Sequence, residues 1–483
     1  MPAPDWALFF YFAPSSPDNS TRLDSRAKRA RDEIVRLAGH HPQELRIAYR
    51  LALSGLDPGV RVVLHPAGTI QQDEDVVYDP GDPEPFKKFF RWAHNHGCRG
   101  KRCAVFLWGH GFGPAGLFGM EDLIDLGITR LAAPISLPIG QGGIGAKALR
   151  GSFAELSGVK ADLKRGTVRR TDGLTIKFPR GALIERAGAV FAQVKPEVPI
   201  GRQRRIAGGV PLALMPAVIR SVKDVDTTTV NLKFGLAGLR ELRRKPTDVL
   251  LFQSCWMSGL EVARQLRGEV KTMIGSQTLM PIQPDPWPYA QLLAALRTSR
   301  GSSHRETRLL VEKLVTILSR WHTIQRQKRP ITGLNLEDNT LPEAFKRLVQ
   351  ALRPDAQAKP LKLEHLYSNA KTRDRSQGRY KKENSGVIDV LRLCDELAAP
   401  TRSAQVKGAA KQLANILREK VIVAHRTPDR DLYRGVTVFY RPSPETETEL
   451  ERVAHIEFLQ KPEYEFFSFA RTKWTHFAFE LQP

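Results

Sequence analysis

The chain has 483 residues, of which 41% are hydrophobic, so it can bury the core of one large domain or two ordinary ones. This excludes a disordered protein. Lys and Arg number 74 against 51 Asp and Glu, and the resulting net charge of +23 favours polyanions or acidic protein surfaces as neighbours. No nucleic-acid motif occurs and aromatic residues do not alternate regularly with basic ones, so a nucleic-acid partner is not expected.

The number of cysteines and the sequence of the first residues indicate in which cellular compartment the protein is expected. Only four cysteines occur, at positions 98, 103, 255 and 394, and their spacing indicates no disulfide framework. Residues 1–19 lack a cationic leader and a small-residue cleavage site, and the apolar run 6–12 is too short to span a membrane. The sequence therefore predicts a cytoplasmic protein without a membrane partner.

The first 120 residues alternate between strand and helix patterns. The apolar run 6–12 predicts a buried parallel strand, followed by a helix over 25–37 and a second strand over 60–64. Asp82 and Pro83 supply the cap and first turn of a helix that buries Phe86, Phe89 and Phe90. A third strand over 103–108 leads directly into Gly-His-Gly.

The middle of the chain lacks this regularity. Residues 121–228 consist of short pieces separated by Gly and Pro, and residues 150–205 hold 13 Lys or Arg against 5 Asp or Glu. We interpret this segment as a basic insertion, a β-rich flap or partly disordered, between a first core segment, 1–120, and a second, 229–483.

The alternating pattern returns after the insertion and predicts a mostly parallel sheet with helices on both faces. The predicted elements are a helix at 236–244, strands at 248–252 and 270–274 with a helix at 256–266 between them, helices at 287–296, 307–324, 342–352 and 405–421, and a last strand at 435–440.

Two strand ends carry the residues of interest. His110 follows the strand at 103–108, and Cys255 follows the strand at 248–252. Sites in parallel sheets form beyond the carboxyl ends of strands, so adjacent strands would bring the two side chains together. An imidazole beside a thiol can take its proton and later protonate the leaving amine. The N–H groups of Gly111 and Cys255 could then bind the oxyanion.

A lone cysteine after a strand is more often inert core than nucleophile, and spacing alone leaves both interpretations open. The sequence motifs around His110 and Cys255 are more specific for a protein family. Residues 107–113, Leu-Trp-Gly-His-Gly-Phe-Gly, and 250–257, Leu-Leu-Phe-Gln-Ser-Cys-Trp-Met, resemble the histidine and nucleophile elements of clostripain-like cysteine peptidases. Glu261-Val-Ala, Ile274-Gly-Ser, Trp287-Pro-Tyr and residues 435–442 follow in the family's order. The resemblance implies a caspase-like three-layer α/β sandwich and a peptidase with Cys255 as nucleophile and His110 as base.

The primary specificity is expected to differ from that of Arg-specific relatives. Those enzymes usually have an acid two residues before the nucleophile, where this chain has Gln253, and an acid often found after Ser276 is replaced by Gln277 and Thr278. An amide cannot neutralise a buried guanidinium. We therefore expect Gln253, Ser276 and Gln277 to shape a pocket for Asp, Glu or a neutral side chain.

The resemblance also bears on processing and cofactors. Relatives are often cut between the histidine and cysteine elements, but Gln253 argues against a cut at the basic pairs of the insertion, so we expect an intact chain until a partner triggers cleavage. No cofactor is expected, and because some relatives use calcium, a calcium requirement is left open. A role in bacterial defence or programmed proteolysis is a hypothesis drawn from location and family.

The sequence contains two further motif-like patterns and allows one competing function. Residues 140–145 satisfy Gly-x-Gly-x-x-Gly without the flanking strand and helix of a dinucleotide site. His94, His96, Cys98 and Cys103 lack the usual spacing of a zinc site. The competing function is a non-catalytic protein that uses the sheet as a scaffold and the basic insertion to bind an acidic partner or nucleic acid.

Overall fold

A computed structural model describes most of the two core segments and short pieces of the segment between them. The described residues are 4–13, 20–40, 44–51, 60–65, 68–73, 84–109, 111, 128–132, 152–156, 159–162, 167–170, 175–177, 183–186, 189–194, 229–278, 280, 286–299, 301, 303–327, 329–358, 366–373, 380–428, 433–439 and 474.

The strands are numbered in chain order. They are β1 (Trp6–Ala13), β2 (Leu45–Leu51), β3 (Val60–His65), β4 (Gly68–Asp73), β5 (Arg102–Gly109), β6 (Ile128–Ala132), β7 (Ser152–Leu156), β8 (Val159–Asp162), β9 (Thr167–Arg170), β10 (Thr175–Lys177), β11 (Leu183–Arg186), β12 (Ala189–Val194), β13 (Thr247–Gln253), β14 (Val270–Gly275), β15 (Ile331–Asn335), β16 (Tyr367–Arg373), β17 (Tyr380–Asp389), β18 (Ile422–Arg426) and β19 (Thr437–Phe439).

The helices are numbered in the same way. They are α1 (Ser20–His40), α2 (Glu84–Asn95), α3 (Thr229–Arg243), α4 (Leu260–Leu266), α5 (Tyr289–Thr298), α6 (His304–Ile324), α7 (Leu341–Ala358), α8 (Val390–Leu397) and α9 (Ala404–Ile416), which continues into a π-helical turn, Leu417–Val421.

A nine-stranded sheet with the order β18-β15-β14-β13-β5-β1-β2-β3-β4 forms the centre of the fold. Its five middle strands, from β14 to β2, are parallel, whereas β15, β18, β3 and β4 join antiparallel at the two edges. Strands β1, β5 and β13 are almost completely buried, which explains their continuous apolar sequences. The predicted α/β fold with a mostly parallel central sheet and helices on both faces is confirmed.

Alternate side chains of these strands enter two hydrophobic clusters, one on each face of the sheet. Phe9 and Val105 point into the cluster that includes residues of α2, α3, α4, α7, α8 and α9. Phe10 and Phe106 point into the other, which includes residues of α1, α5 and α6, and their rings stack at 4.3 Å. The sheet therefore lies between two helical layers and fixes the register of the strand ends.

Some elements differ from the sequence prediction. The strand β2 was missed because Arg46 and Arg50 interrupt its apolar pattern, yet both are buried, and Arg50 donates a 2.9 Å hydrogen bond to the Tyr11 hydroxyl. The strands β4, β15, β16, β17 and β18 were also missed. The helix predicted from residue 256 begins at Leu260, since residues 256–258 make strand-like hydrogen bonds instead.

The remaining strands form three small antiparallel sheets. Strands β8 to β10 form one, and β6, β7, β11 and β12 form another, all within residues 128–194. Strands β16, β17 and β19 form the third, so the predicted last strand joins this sheet and not the central one. The proposed division at residues 120 and 228 stays a prediction. Across the described residues, no helix combines the length and apolarity needed to cross a membrane.

Candidate active site

The strands that precede the two predicted catalytic residues are neighbours. Strands β5 and β13 are parallel, and Trp108 is the register partner of Gln253. The chain therefore leaves the sheet at the same edge after both strands, as the sequence predicted. His110 itself lies outside the described residues, and its role as the base stays a prediction.

Gly111, the next residue, lies directly against the nucleophile segment. A Cβ atom built on Gly111 would lie 2.4 Å from the carbonyl oxygen and 2.8 Å from the nitrogen of Cys255. It would also lie 2.9 Å from Cβ of Ser254. Only glycine fits such a close approach of two backbones. The chain segments after β5 and β13 are thus brought together, which is the geometric condition for a Cys255/His110 pair.

The backbone around Cys255 makes an unusual turn. Trp256 has a φ of 51°, a left-handed conformation that a bulky side chain rarely adopts. Its N–H donates to the Thr278 carbonyl at 3.1 Å, and the Ser258 N–H donates to the Ser276 carbonyl at 2.9 Å. The segment after β14 therefore holds the segment after β13 in an extended course before α4 begins.

The sulfur of Cys255 faces the same segment. The Met280 N–H donates to Sγ at 3.2 Å, and the thiol donates to the Met280 carbonyl at 3.9 Å. Cys255 is partly exposed and packs against Trp256 and Val387. A hydrogen bond from a backbone N–H favours the thiolate over the thiol. The shorter of the two Met280 contacts, from the N–H, therefore favours the nucleophilic form of Cys255.

Gln253, two residues before the nucleophile, is surrounded by aromatic hydrogen-bonding groups. With its amide oriented to satisfy all three, the oxygen accepts from Nε1 of Trp108 at 3.3 Å and of Trp287 at 3.2 Å, and the nitrogen donates to the Tyr289 hydroxyl at 2.9 Å. Both acceptor positions of the oxygen are used. Among the described neighbours, this amide therefore offers its second N–H as a donor and no acceptor for a guanidinium.

The two other predicted pocket residues, Ser276 and Gln277, are 0% exposed. Gln277 donates from Nε2 to Oδ2 of Asp389 at 2.7 Å and accepts from the Gly435 N–H at 2.8 Å. The Ser276 hydroxyl accepts from the Thr278 N–H at 3.2 Å. Their substrate-binding role stays a prediction, and these internal contacts speak against it.

The rejected zinc site can be compared with the structure. Cys98 and Cys103 are buried in the core, and Nδ1 of His96 lies 2.8 Å from the Trp92 carbonyl. Within the described ranges, no group of three or more His, Cys, Asp or Glu side chains is placed to hold a metal ion. Residues 140–145, which match the Gly-x-Gly-x-x-Gly pattern, lie outside those ranges.

Several residues near the site were not predicted from the sequence. The indoles of Trp108 and Trp287 and the hydroxyl of Tyr289 hold Gln253, whereas the sequence shows Trp287 and Tyr289 only as part of a motif that resembles the family's. Met280 carried no recognisable signal, because its contribution is a backbone N–H. Such roles depend on tertiary contacts and not on residue type.

Comparisons with known proteins agree with the sequence motifs. Residues 226–413 match the model of the Clostripain family. No curated protein matches the chain. A secreted C11 cysteine protease from Bacteroides thetaiotaomicron in complex with an irreversible peptide inhibitor is 12% identical, with 98% of this chain and 99% of that chain covered and a TM-score of 0.47. An inactive zymogen C11 protease from Parabacteroides distasonis is 12% identical, with the same coverage and a TM-score of 0.49.

At these TM-scores, the assignment depends on the family model and not on the structural likeness. The matched region begins before α3, contains β13 with Cys255 and β14 with the segment that contacts it, and ends within α9. The resemblance found in the sequence is thereby confirmed. Over residues 226–413, which include Cys255, the chain is similar to the Clostripain family.

Proposed function

We propose that the chain hydrolyses peptide bonds through a Cys255/His110 dyad, with a primary pocket for Asp, Glu or a neutral side chain rather than Arg. The observation that carries the dyad is the contact between Gly111 and the backbone of Cys255. Because His110 immediately precedes Gly111 in the sequence, this contact supports His110 as the proposed base.

In the proposed reaction, Sγ of Cys255 attacks the carbonyl carbon of the scissile bond after His110 has accepted the thiol proton. His110 returns the proton to the leaving amine, which breaks the C–N bond and leaves a thioester on Cys255. A water molecule, deprotonated by His110, then hydrolyses the thioester. The N–H groups of Gly111 and Cys255 are the proposed oxyanion donors. This thiol and imidazole chemistry needs no cofactor.

The contacts of Gln253 support the proposed specificity. A buried guanidinium requires acceptors, and the Gln253 oxygen already accepts from two indoles. Its remaining N–H suits a carboxylate or an amide oxygen of the substrate. A peptidase with such a pocket would not cut at the basic pairs of residues 164–165, 169–170 and 204–205, so we also propose that the chain stays intact until a partner triggers it, in a regulatory role in the cytoplasm.

A peptide library varied at the residue before the cut tests this function. Cleavage after acidic or neutral residues is expected in the wild type, together with its loss in Cys255→Ala and His110→Ala. Clean preference for Arg would refute the pocket assignment. An electrophilic peptide probe gives a second readout, since labelling of Cys255 should require His110. Salt-sensitive binding of nucleic acid without labelling would favour the non-catalytic alternative.

A further inference from the structure

Residues 276–278 and Met280, which follow β14, contact residues 255–258 at three points. The carbonyls of Ser276 and Thr278 accept from the backbone N–H groups of Ser258 and Trp256. The Met280 N–H donates to Sγ of Cys255 at 3.2 Å. A shift of this segment would therefore move both the backbone next to Cys255 and the Met280 N–H that donates to its sulfur.

This segment is anchored by Gln277, whose side chain is completely buried. The Gln277 oxygen accepts from the Gly435 N–H at 2.8 Å, and its Nε2 donates to Oδ2 of Asp389 at 2.7 Å. Asp389 is fully buried and also accepts from the backbone N–H groups of Arg434 at 2.7 Å and Arg392 at 3.0 Å. The carboxylate thus joins the start of α8 to both Gln277 and the chain before β19.

The other side of the nucleophile segment is held by the same chain before β19. The Ser258 hydroxyl donates to the Gly435 carbonyl at 2.8 Å, and the Thr437 N–H donates to the Ser258 carbonyl at 2.9 Å. Gly435 has a φ of 126°, which favours glycine. Residues 256–258 therefore lie between two backbone segments, and the Gln277–Asp389 pair links those segments to each other.

We infer that Gln277 and Asp389 are positioning residues that hold the Met280 N–H against Sγ of Cys255 and so stabilise its thiolate. The inference rests on the proposed role of Cys255 as a nucleophile, and it gives Gln277 a function other than the substrate contact expected from the sequence. A hydrogen bond to a thiolate lowers the pKa of the thiol. The effect of either residue should therefore be visible in the pH at which Cys255 becomes reactive.

Among the described residues, the titratable group that bears on this reactivity is Asp389, which acts through Gln277 from the end of β17. His110, the expected base, follows β5 in the sequence. Burial raises the pKa of Asp389, against the opposing effects of the hydrogen bonds from Gln277 and from the backbone of Arg392 and Arg434 and of the charge of Arg392. The comparison of variants is therefore made at several pH values, with His110 unchanged in all of them.

The experiment measures the rate of Cys255 alkylation by iodoacetamide as a function of pH, by mass spectrometry of the intact folded protein. In Gln277→Ala, we expect the inflection to move up by about one pH unit, so that the rate at pH 7 falls about tenfold while the rate at high pH changes little. Gln265→Ala, which removes a second buried glutamine from α4, should leave the profile unchanged. An unchanged profile in folded Gln277→Ala would overturn the inference.

Two further variants keep the test decisive. Asp389→Asn retains a good helix N-cap but loses one acceptor, and should shift the inflection in the same direction even if Gln277→Ala fails to fold. Combined with Gln277→Glu, it reverses the donor and the acceptor of the pair and should restore part of the wild-type profile. No shift in Asp389→Asn, or no recovery in the double variant, would count against the pair. Alkylation requires no peptide cleavage, so a failure of the proposed hydrolysis would be distinguishable.

Discussion

Gly111 and Cys255 approach so closely that a single added carbon on Gly111 would lie 2.4 Å from the Cys255 carbonyl oxygen. The two nearest atoms belong to the Cys255 backbone, which cannot move aside as a flexible side chain can. The two strand ends are therefore joined by a contact that tolerates only glycine. This contact, rather than the sequence spacing of 145 residues between His110 and Cys255, is what supports the dyad.

Gly111→Ala should damage the site. We expect a loss of roughly 1–3 kcal/mol in the free energy of unfolding and a large fall in kcat/KM, because the nucleophile segment must shift to accommodate the methyl group. Gly408→Ala in α9, where an added Cβ meets nothing within 4 Å, should instead raise stability by about 0.5–1 kcal/mol. For both variants, denaturant unfolding measures the free energy of unfolding and peptide hydrolysis measures kcat/KM. Wild-type stability and kcat/KM in Gly111→Ala would refute the close contact.

The three donors around Gln253 suggest a way to change the specificity. In Gln253→Glu, a carboxylate would accept from the indoles of Trp108 and Trp287 and from the Tyr289 hydroxyl, which stabilises its charge. The pocket would then present a negative charge, and preference should move from acidic or neutral residues towards Arg and Lys. A peptide library compared between wild type, Gln253→Glu and the isosteric Gln253→Met checks this. Retention of the wild-type preference in Gln253→Glu would show that Gln253 does not line the primary pocket.

Much of the central sheet could be predicted because its strands are buried on both faces. Continuous apolar runs identified β1, β5 and β13, and the residues after β5 and β13 identified the candidate dyad. In contrast, β2 carries two arginines and was missed, although Arg46 and Arg50 are buried. Burial of these charged side chains depends on partners far away in the chain, such as Tyr11, which a local pattern cannot show.

The environment of the nucleophile could be predicted only in part. The glutamine two residues before Cys255 indicated that the pocket differs from an Arg-binding one, but the residues that orient its amide are 145 residues upstream and 34 and 36 residues downstream in the chain. Gln277 was expected to face the substrate because of its position after β14. The structure directs its side chain to Asp389 and Gly435 instead, two partners more than 100 residues away in the chain that a local pattern cannot show.

The four cysteines differ in the reactivity that their surroundings allow. Burial raises the pKa of Cys98 well above its ordinary value, raises that of Cys103 to about 11 and also raises that of Cys394. All three are at most 1% exposed, whereas Cys255 is partly exposed and faces the Met280 N–H. None of the four forms a disulfide.

Iodoacetamide at neutral pH should therefore modify Cys255 first in the native protein. We expect at least a tenfold faster reaction than at the other three positions, since both access and thiolate fraction favour it. Mass spectrometry of proteolytic peptides after short exposure gives the rates. In denaturant, all four should react at similar rates, which serves as the control, and fast native modification of Cys98, Cys103 or Cys394 would contradict the burial described here.

His322 in α6 predicts how stability depends on pH. It is 1% exposed, and within the described part of the chain neither of its ring nitrogens has a hydrogen-bond partner. Burial, together with the charge of Arg329, lowers its pKa from 6.5 to about 4. Between these two values the unfolded chain binds more protons than the folded one, so the free energy of unfolding rises with pH across this window.

Above about pH 6.5, where His322 is neutral in both states, it should cause no pH dependence of the free energy of unfolding. Between about pH 6.5 and pH 4, the free energy of unfolding should fall by roughly 3 kcal/mol as the pH drops. His322→Leu should remove this slope and raise the free energy of unfolding at pH 5. The leucine has neither a buried nitrogen without a hydrogen-bond partner nor a group that binds a proton on unfolding. His304→Gln, at the exposed start of the same helix, is the matched control and should retain the slope. Urea unfolding at several pH values between 4 and 8 measures all three proteins, and an equal slope in His322→Leu and wild type would show that His322 is not the group responsible.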